Sequence, residues 1–284
     1  MKVLTLKSFA KLNLVLDVIG KRPDGFHQLR TIFERIDLHD DILLKKTSGP
    51  IRVCCSHPHV PLGPRNLVYM VAQRLQSDFG IQEGVEITIE KRIPVAAGLA
   101  GGSSNAAALL QGLNRLWDLK LTKKTLVEYA CAIGSDVAFF LYDAPYALGE
   151  DRGEKIRVLP IKTKLWHVLV TPRVKVYTKD VFARLNLKLT KKRDDVNILL
   201  PFLGKNNLYS IGSRFVNDLE PAILSLKPYL GSLKRKLIDA GAMGACFSGS
   251  GPSVFALAES QKHAESLRAK FDRHFSQVFV VCTH

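Results

Sequence analysis

The sequence predicts a two-domain α+β protein, and three observations support that prediction. The chain has 284 residues, which is too long for one minimal core and suits two modest domains. Segments rich in β-branched residues alternate with segments whose apolar residues recur at helical spacing. The stretch 149–157 is charged and contains glycine, as boundaries often do, so we place one domain at 1–155 and the other at 156–284.

The composition is that of an ordinary globular protein. Hydrophobic residues make up 46% of the chain and charged residues 24%, values that exclude a largely disordered protein. Lys7 and Lys11 interrupt the apolar stretch near the N-terminus, which argues against a signal peptide. No uncharged apolar run approaches the length of a membrane span, so we expect a cytoplasmic protein without a membrane partner. The five cysteines are irregularly spaced, and we expect reduced thiols.

The basic charge of the chain leaves two kinds of partner open. Lysine and arginine number 41 against 26 acidic residues, so the formal charge is +15 and the surface attracts polyanions. Nucleic acids and phosphorylated metabolites both fit that description. The basic residues are scattered in small groups and form no arginine-rich tract, so we expect a small-molecule substrate and no nucleic acid.

The first part of the chain contains mostly strand signals. Alternating or continuous apolar residues predict strands at 3–7, 12–19, 26–38, 42–46, 51–55 and 85–92. Proline and an Asp-Gly pair predict a turn at 21–25. Asn66 is predicted to cap a helix whose apolar residues Leu67, Val71, Leu75 and Phe79 recur at helical spacing.

Helices and strands are interspersed in the rest of the chain. An alanine-rich helix is predicted to end near Trp117, and another begins at Thr178. Further helices are predicted at 122–133, 230–240 and 261–275. Strands are predicted at 166–171, 243–247, 253–258 and 277–282.

A glycine-rich loop at 94–104 joins a predicted strand to the alanine-rich helix. Gly98, Gly101 and Gly102 let the backbone approach a ligand, because no side chain intervenes. Ser103 and Ser104 are predicted to lie at the helix N-cap, where N–H groups and the helix dipole suit an anion. We predict phosphate binding, and the alternative is a tight turn whose glycines serve packing. A second small-residue loop, 248–252, would close with the first around one triphosphate.

Several spaced motifs give the chain a resemblance to a known family. The segments 94–104 and 247–255 resemble the central and C-terminal glycine motifs of the GHMP kinase superfamily, named for its galactose, homoserine, mevalonate and phosphomevalonate members. The segments 8–14, 20–27 and 133–140 resemble the branch that acts on a cytidine-diphosphate substrate. The resemblance covers nearly the whole chain. It implies the two-domain GHMP kinase fold, with an N-terminal ribosomal-protein-S5-like α/β domain and a C-terminal ferredoxin-like α+β domain.

The resemblance also implies an activity, which is transfer of the γ-phosphoryl group of ATP to the 2-hydroxyl group of cytidine diphosphate methylerythritol. That reaction belongs to the non-mevalonate route to isoprenoid precursors. By resemblance, Asp136 is the base that takes the hydroxyl proton, and Lys11 lies beside it. A nearby ammonium group would keep the carboxylate ionised and stabilise charge on the acceptor oxygen. The implied ATP contacts are Pro94, Val95, Ala96, Ala97, Gly98, Leu99, Ala100, Gly101, Gly102, Ser103 and Ser104.

The implied substrate contacts lie in several segments. Phe26 and Phe182 fit two positions that stack on cytosine, and His27 and Lys91 are candidates for the base and its neighbourhood. Further candidates for substrate binding are Asn13 and Thr178. Mg²⁺ is implied by the use of ATP, but its ligands are not assigned: Ser104 is one candidate, and the alternative is an ion held mainly by phosphates and waters. We expect a monomer or a homodimer.

Alternatives stay open at this point. The chain could be another GHMP kinase, of the homoserine or mevalonate type, or an inactive relative that only senses ligands. A basic nucleic-acid-binding protein is the alternative from a different class. For single residues, Asp136 could cap the next helix, and Lys11 could be an exposed strand residue.

Overall fold

The computed structural model describes residues 3–187, 194–271 and 277–284, and it contains both helices and sheets. The strands are β1 (Val3–Lys21), β2 (His27–Thr47), β3 (Arg52–Cys55), β4 (Gly84–Glu90), β5 (Tyr146–Asp151), β6 (Lys155–Val158), β7 (Trp166–Val170), β8 (Val216–Asn217), β9 (Gly244–Phe247), β10 (Val254–Ala258) and β11 (Val278–Cys282). The helices are α1 (Leu67–Phe79), α2 (Gly101–Leu116), α3 (Lys123–Ile133), α4 (Thr178–Ala183), α5 (Asp195–Gly204), α6 (Leu208–Gly212), α7 (Glu220–Leu226), α8 (Leu230–Asp239) and α9 (Gln261–Phe271). A short 3₁₀ helix spans Ala138–Leu141.

The chain forms two compact units that interleave in sequence. The first unit comprises Met1–Ala10, Leu38–Val95 and Ala100–Asp143, and the second comprises Lys11–Asp37, Ala96–Leu99 and Ala144–His284. The long strands β1 and β2 each contribute residues to both units. The contiguous division into 1–155 and 156–284 stays a prediction.

The first unit packs helices beside a small set of strands. Residues 41–47 of β2 pair antiparallel with β4, and β3 pairs parallel with β4. Helix α2 contacts α1, α3 and the 3₁₀ helix. The alanine run predicted to build a strong helix is buried in α2, where small side chains allow close packing.

The second unit contains a four-stranded antiparallel sheet in the order β11-β7-β10-β9. Its core includes Val168, Val170, Phe247, Val254 and Ala256 from those strands, together with apolar residues of α7, α8 and α9. In the same unit, residues 29–34 of β2 pair antiparallel with β5, and β5 pairs with β6. Val15 and Leu16 of β1 pair parallel with β8.

Comparison with the sequence predictions shows where local signals were sufficient. The cap at Asn66 is confirmed, because its side chain accepts a hydrogen bond from the N–H of Val68. The predicted strands 3–7 and 12–19 form the single strand β1, and 26–38 and 42–46 form β2. The stretch 149–157, predicted as a boundary, is most of the β5–β6 hairpin. Residues 272–275 of the last predicted helix lie outside the described residues.

Two further observations concern the class of protein. Within the ranges that the structure describes, no helix combines the length and the hydropathy that a membrane span requires. Cys54, Cys55, Cys246 and Cys282 are free thiols.

Candidate active site

The start of helix α2 lies in the first unit and differs from the prediction. Gly101 is the first helical residue, and Ala100 is the N-cap in the left-handed region at φ 53°. Placing Ser103 and Ser104 at the N-cap was therefore wrong, because the two glycines before them already adopt helical backbone angles. No side chain caps this helix. The first N–H groups of α2 thus have no acceptor within the helix, which suits an anionic ligand.

The two serines of this first turn differ in exposure. Ser103 is half-buried, whereas Ser104 is buried and its hydroxyl oxygen accepts a hydrogen bond from the hydroxyl of Ser8 at 2.8 Å. Asn105 donates to the same Ser8 oxygen at 2.8 Å. Ser104 is therefore held by β1 on the inner side of the helix.

Lys91 lies beside the same helix start. Its ammonium group pairs with the buried carboxylate of Asp40. A Cβ atom built on Gly101 would lie 2.7 Å from Lys91 Nζ, so the side chain of Lys91 occupies the space next to that glycine. The prediction that Lys91 contacts the substrate stays a prediction, and its described neighbours are Asp40 and Gly101 of the glycine-rich loop.

Residues 96–99 of the loop belong to the second unit, where they contact the loop 248–252. Gly98 has φ 77°, and a Cβ atom at this position would lie 2.0 Å from the carbonyl oxygen of Ser248. The hydroxyl of Ser248 donates to the carbonyl oxygen of Gly98 at 2.9 Å. Only glycine fits this contact, because any side chain would collide with backbone. The two glycine loops therefore touch through Gly98 and Ser248.

Lys11 lies beside the loop 248–252 in the second unit. Its side chain is 3% exposed, so the alternative of an exposed strand lysine is wrong. Its ammonium group donates to Asn13 Oδ1 at 2.6 Å, and Asn13 in turn donates to the hydroxyl of Thr31 at 2.8 Å. A Cβ atom on Gly249 would lie 3.6 Å from Lys11 Nζ. The second glycine loop thus passes directly beside the predicted catalytic lysine.

Asn217 holds that glycine loop in place. Its buried side-chain amide donates to the carbonyl oxygens of Phe247 and Gly249, at 2.9 and 2.8 Å. Its own oxygen accepts from the N–H of Leu219 at 2.9 Å. These bonds use both N–H groups of the amide and one of the two lone pairs of its oxygen. Asn217, which lies on β8, therefore fixes the path of the loop.

Asp136 is half-buried in the first unit, between α3 and the 3₁₀ helix. The N-cap of that 3₁₀ helix is Val137, and no side chain caps it. Asp136 therefore lies one residue before the N-cap, and its catalytic role stays a prediction. Lys11 belongs to the other unit, and the predicted catalytic pairing of the two residues stays a prediction.

The aromatic residues predicted to hold the nucleobase lie in the second unit. The rings of His27 and Phe182 stack with centroids 4.9 Å apart and an interplanar angle of 27°. Burial, followed by the charge of Lys21, lowers the pKa of His27, so the imidazole is neutral at physiological pH. Phe26 is 53% exposed, and the guanidinium group of Arg152 lies 5.0 Å from its ring centroid.

Thr178 connects this aromatic region to the second glycine loop. Its hydroxyl and the hydroxyl of Ser250 form a hydrogen bond of 2.8 Å. Thr178 is the first residue of α4, and Phe182 lies on the same helix. One helix therefore carries both a contact to the loop and a stacking ring.

Comparison with known proteins identifies the family. Family models described as "GHMP kinases N terminal domain" and "GHMP kinases C terminal" match residues 66–144 and 199–277. A 4-diphosphocytidyl-2-C-methyl-D-erythritol kinase of Exiguobacterium sibiricum is 42% identical over 277 residues, which are 97% of this chain and 96% of that protein. A protein of the same name from Geobacter sulfurreducens is 44% identical over 275 residues, 95% of this chain and 96% of that one. The chain belongs to the GHMP kinase family.

A solved structure agrees with this assignment. The crystal structure of a 4-(cytidine 5'-diphospho)-2C-methyl-D-erythritol kinase superposes with a TM-score of 0.84 at 29% identity, covering 99% of this chain and 100% of that one. The predicted α+β GHMP kinase fold is confirmed. As a GHMP kinase, the chain is an ATP-dependent small-molecule kinase.

Two polar residues of this GHMP kinase had not been predicted as part of the site. Asn217 and Asp40 are buried and bind backbone or side chains of the glycine loops and their flanks. Asp40 lies in the polar stretch 37–41 and Asn217 follows two apolar residues, and in the sequence polar residues at such places indicate only a turn. The available signal was weak: an asparagine is unusual within a buried strand and requires partners there.

Proposed function

We propose that this GHMP kinase transfers the γ-phosphoryl group of ATP to the 2-hydroxyl group of 4-diphosphocytidyl-2-C-methyl-D-erythritol, in the cytoplasm, as a step of the non-mevalonate route to isoprenoid precursors. The observation that carries the proposal is identity above 40% with two kinases of this name along nearly the full chain. The alignments with these two kinases cover 97% and 95% of this chain.

The ATP end of the reaction is supported by the two glycine loops. The uncapped N–H groups of α2 and the positive end of its dipole favour phosphate. The contact of Gly98 with Ser248 brings the second loop to the first, and Gly249 lies beside Lys11. Backbone N–H groups and one buried ammonium group are the donors that a triphosphate requires.

The chemical step depends on positioning and on charge. Phosphoryl transfer passes through a loose transition state whose charge lies on the equatorial oxygens. Lys11, fixed by Asn13 and Thr31, would supply a positive charge that needs no reorganisation during the reaction. Asp136 would accept the proton of the acceptor hydroxyl as the oxygen–phosphorus bond forms.

The nucleobase end is supported by the aromatic side chains. Phe26 exposes more than half of its surface, and the stacked pair of His27 and Phe182 offers a second aromatic surface. A neutral imidazole can donate one hydrogen bond and accept another, which matches the mixed polar edge of cytosine. The predicted sandwich of cytosine between Phe26 and Phe182 stays a prediction, because in this structure the ring on Phe182 is that of His27.

Mg²⁺ would be held mainly by the phosphates of ATP and by water. Within the described parts of the chain, no three or more His, Cys, Asp and Glu side chains are grouped to hold a metal. Ser104, the candidate ligand, is buried and bonded to Ser8. Magnesium keeps several waters when it binds nucleotides, so a site with few protein ligands is adequate. The ion would neutralise charge on the β- and γ-phosphates.

A panel of acceptor alcohols tests the substrate. The purified protein is given ATP, Mg²⁺ and, separately, 4-diphosphocytidyl-2-C-methyl-D-erythritol, homoserine, mevalonate or galactose, and ADP release is measured. We expect ADP with the cytidine compound alone. Turnover of any of the other three without the cytidine compound would replace this proposal by another kinase of the family. Salt-dependent binding to nucleic acid without any ADP release would favour the nucleic-acid alternative.

A further inference from the structure

A single buried carboxylate in the first unit accepts four hydrogen bonds. Asp40 lies on β2 and is fully buried. Its Oδ1 atom accepts from the backbone N–H groups of Arg92 and Ile93, both at 2.8 Å. Its Oδ2 atom accepts from the side-chain amide of Asn105 at 2.8 Å and from the ammonium group of Lys91. The carboxylate has no remaining lone pair of good geometry, so its partners fix its position.

These donors lie on both sides of the ATP loop. Arg92 and Ile93 immediately precede Pro94, where the loop begins. Asn105 lies near the start of α2, directly after the loop. One carboxylate therefore ties the chain entering the loop to the helix leaving it. The loop between them is anchored at both ends to a single point on β2.

The buried ammonium group of Lys91 requires a negative charge close to it, and Asp40 supplies that charge. Its side chain is buried, and its Nζ atom lies where a side chain on Gly101 would begin. A buried cation beside a helix N-terminus is unfavourable, because the helix dipole is positive there. Asp40 compensates that charge. Without it, Lys91 would move toward solvent, and the loop would lose a neighbour.

We propose that Asp40 is a positioning residue of the ATP site, which sets the distance between the loop's two flanks and holds Lys91 next to the phosphates. The inference rests on the proposed function only in that the loop at 94–104 binds ATP. Asp40 acts through Lys91, the loop backbone and Asn105, and it does not itself touch the nucleotide. The inference assigns Lys91 to the loop in place of the predicted nucleobase contact, and its consequence is selective: ATP binding depends on Asp40, and binding of the acceptor alcohol does not.

The test measures ATP and acceptor binding separately in Asp40→Asn. Asparagine keeps the shape and one acceptor for the backbone N–H groups, but its NH₂ group faces the donors of Lys91 and Asn105. We expect the Kd for ATP to rise at least tenfold, while the Kd for the cytidine acceptor stays within about twofold of wild type. Both are measured by titration calorimetry on protein shown to be folded by circular dichroism.

The matched control is Asp41→Asn, one residue along. Asp41 pairs with the guanidinium group of Arg92 at 2.7 Å and is partly exposed, so its loss removes a surface ion pair without touching the loop backbone. We expect its ATP affinity to stay within about twofold of wild type. A tenfold loss of ATP affinity in Asp41→Asn as well would show that any change of charge in this region weakens ATP binding. That result would overturn the assignment to Asp40.

A second variant covers the case in which Asp40→Asn does not fold. Asn105→Ala keeps the Asp40–Lys91 pair and removes the bond from α2 to Asp40, together with the bond of Asn105 to Ser8. Ser8→Ala, which removes the second bond without touching Asp40, is its control and should leave ATP affinity within about twofold of wild type. We expect the Kd for ATP to rise at least threefold with acceptor binding unchanged. ATP affinity equal to wild type, or equal losses for ATP and acceptor, would overturn the inference. A wild type that binds ATP but does not phosphorylate the cytidine compound would refute the proposed substrate and leave this result standing.

Discussion

The hydroxyl of Ser248 donates a hydrogen bond to the carbonyl oxygen of Gly98 at 2.9 Å, and this bond joins the two glycine loops within the second unit. The residues are 150 positions apart in the chain. Since a Cβ atom on Gly98 would collide with the backbone of Ser248, the loops meet as backbone on backbone. Their contact is therefore sensitive to the smallest change in side chain.

Gly98→Ala is expected to separate the loops. The added methyl group would lie 2.0 Å from a carbonyl oxygen, at a positive φ that costs about 1–3 kcal/mol for a residue other than glycine. ATP affinity should fall at least tenfold, and urea denaturation should show reduced stability. Gly204→Ala is the control, because it has open space around it and no positive φ. Wild-type ATP affinity in Gly98→Ala would contradict the two-loop site.

Asp136→Asn should lower kcat with little effect on the binding of either substrate. Asparagine keeps the shape but cannot accept a full proton, and general bases typically contribute about 10²–10⁴-fold. Lys11→Ala should lower kcat as well, because a fixed positive charge is lost. If the two residues act as a unit, the kcat of the double variant, measured by steady-state kinetics, should be only slightly lower than that of the slower single variant.

Two outcomes would contradict that prediction. Multiplicative losses in the double variant would show that Lys11 and Asp136 work separately. Wild-type turnover in Asp136→Asn would show that the reaction needs no base at this position. Lys7→Ala is the control for charge, since Lys7 is an exposed lysine of the same strand.

Phe182→Ala should weaken binding of the cytidine substrate and spare ATP. Stacking on an aromatic ring contributes about 1–3 kcal/mol per base, and His27 would also lose the ring that orients it. Because Phe182 packs partly against the core, Phe182→Leu is the control that keeps apolar volume without an aromatic face. Calorimetry should show weak cytidine binding in both variants. Normal binding in Phe182→Leu would mean that Phe182 acts through packing alone.

Asp17 should make stability depend on pH near neutrality. The pKa of its carboxyl group is raised from 3.8 to about 7, mainly by burial and to a smaller extent by the nearby carboxylates of Asp195, Asp218 and Asp194, against the lowering effect of a hydrogen bond from Val196. The folded state therefore binds the proton more tightly than the unfolded state. Stability should fall as pH rises from about 4 to about 7 and stay low above that range.

Asp17→Asn removes this dependence. The variant should be more stable than wild type at about pH 8 and about equal to it near pH 4, as measured by urea denaturation across that range. Glu83→Gln is the control. The hydrogen bond to Lys46 lowers the pKa of Glu83, so the contribution of Glu83 to stability is lost as pH falls, which is opposite to the effect of Asp17. Equal pH profiles for Asp17→Asn and wild type would contradict the prediction.

Local signals were sufficient to predict the glycine loop and most of the longer helices, but not α5, α6 or α7. Asn66 and Thr122 cap the helices that follow them, and both caps depend on atoms within three residues. The start of α2 was misplaced, because Gly101 and Gly102 read as loop residues from their propensity, whereas tertiary packing makes them helical. Propensity is a weak guide wherever burial decides the conformation.

The anchoring residues of the site could not be predicted for a different reason. Asp40 and its donors are 51 to 65 residues apart in sequence, and Asn217 lies about 30 residues from the carbonyl oxygens that it binds. No window of neighbouring residues contains both partners of such a bond. Lys11 and Asp136 were found only because family motifs mark them, and Lys91 was assigned to the nucleobase although its described partner is Asp40.

Because the two units interleave in sequence, recombination between related genes rarely keeps a unit whole. The first unit is built from residues 1–10, 38–95 and 100–143. The second is built from residues 11–37, 96–99 and 144–284. A single crossover before residue 143 mixes two parents within the first unit, and one after it mixes them within the second. A single crossover therefore cannot exchange either unit intact, and a chimera of two related kinases that takes each whole unit from a different parent needs five crossovers, at 10/11, 37/38, 95/96, 99/100 and 143/144.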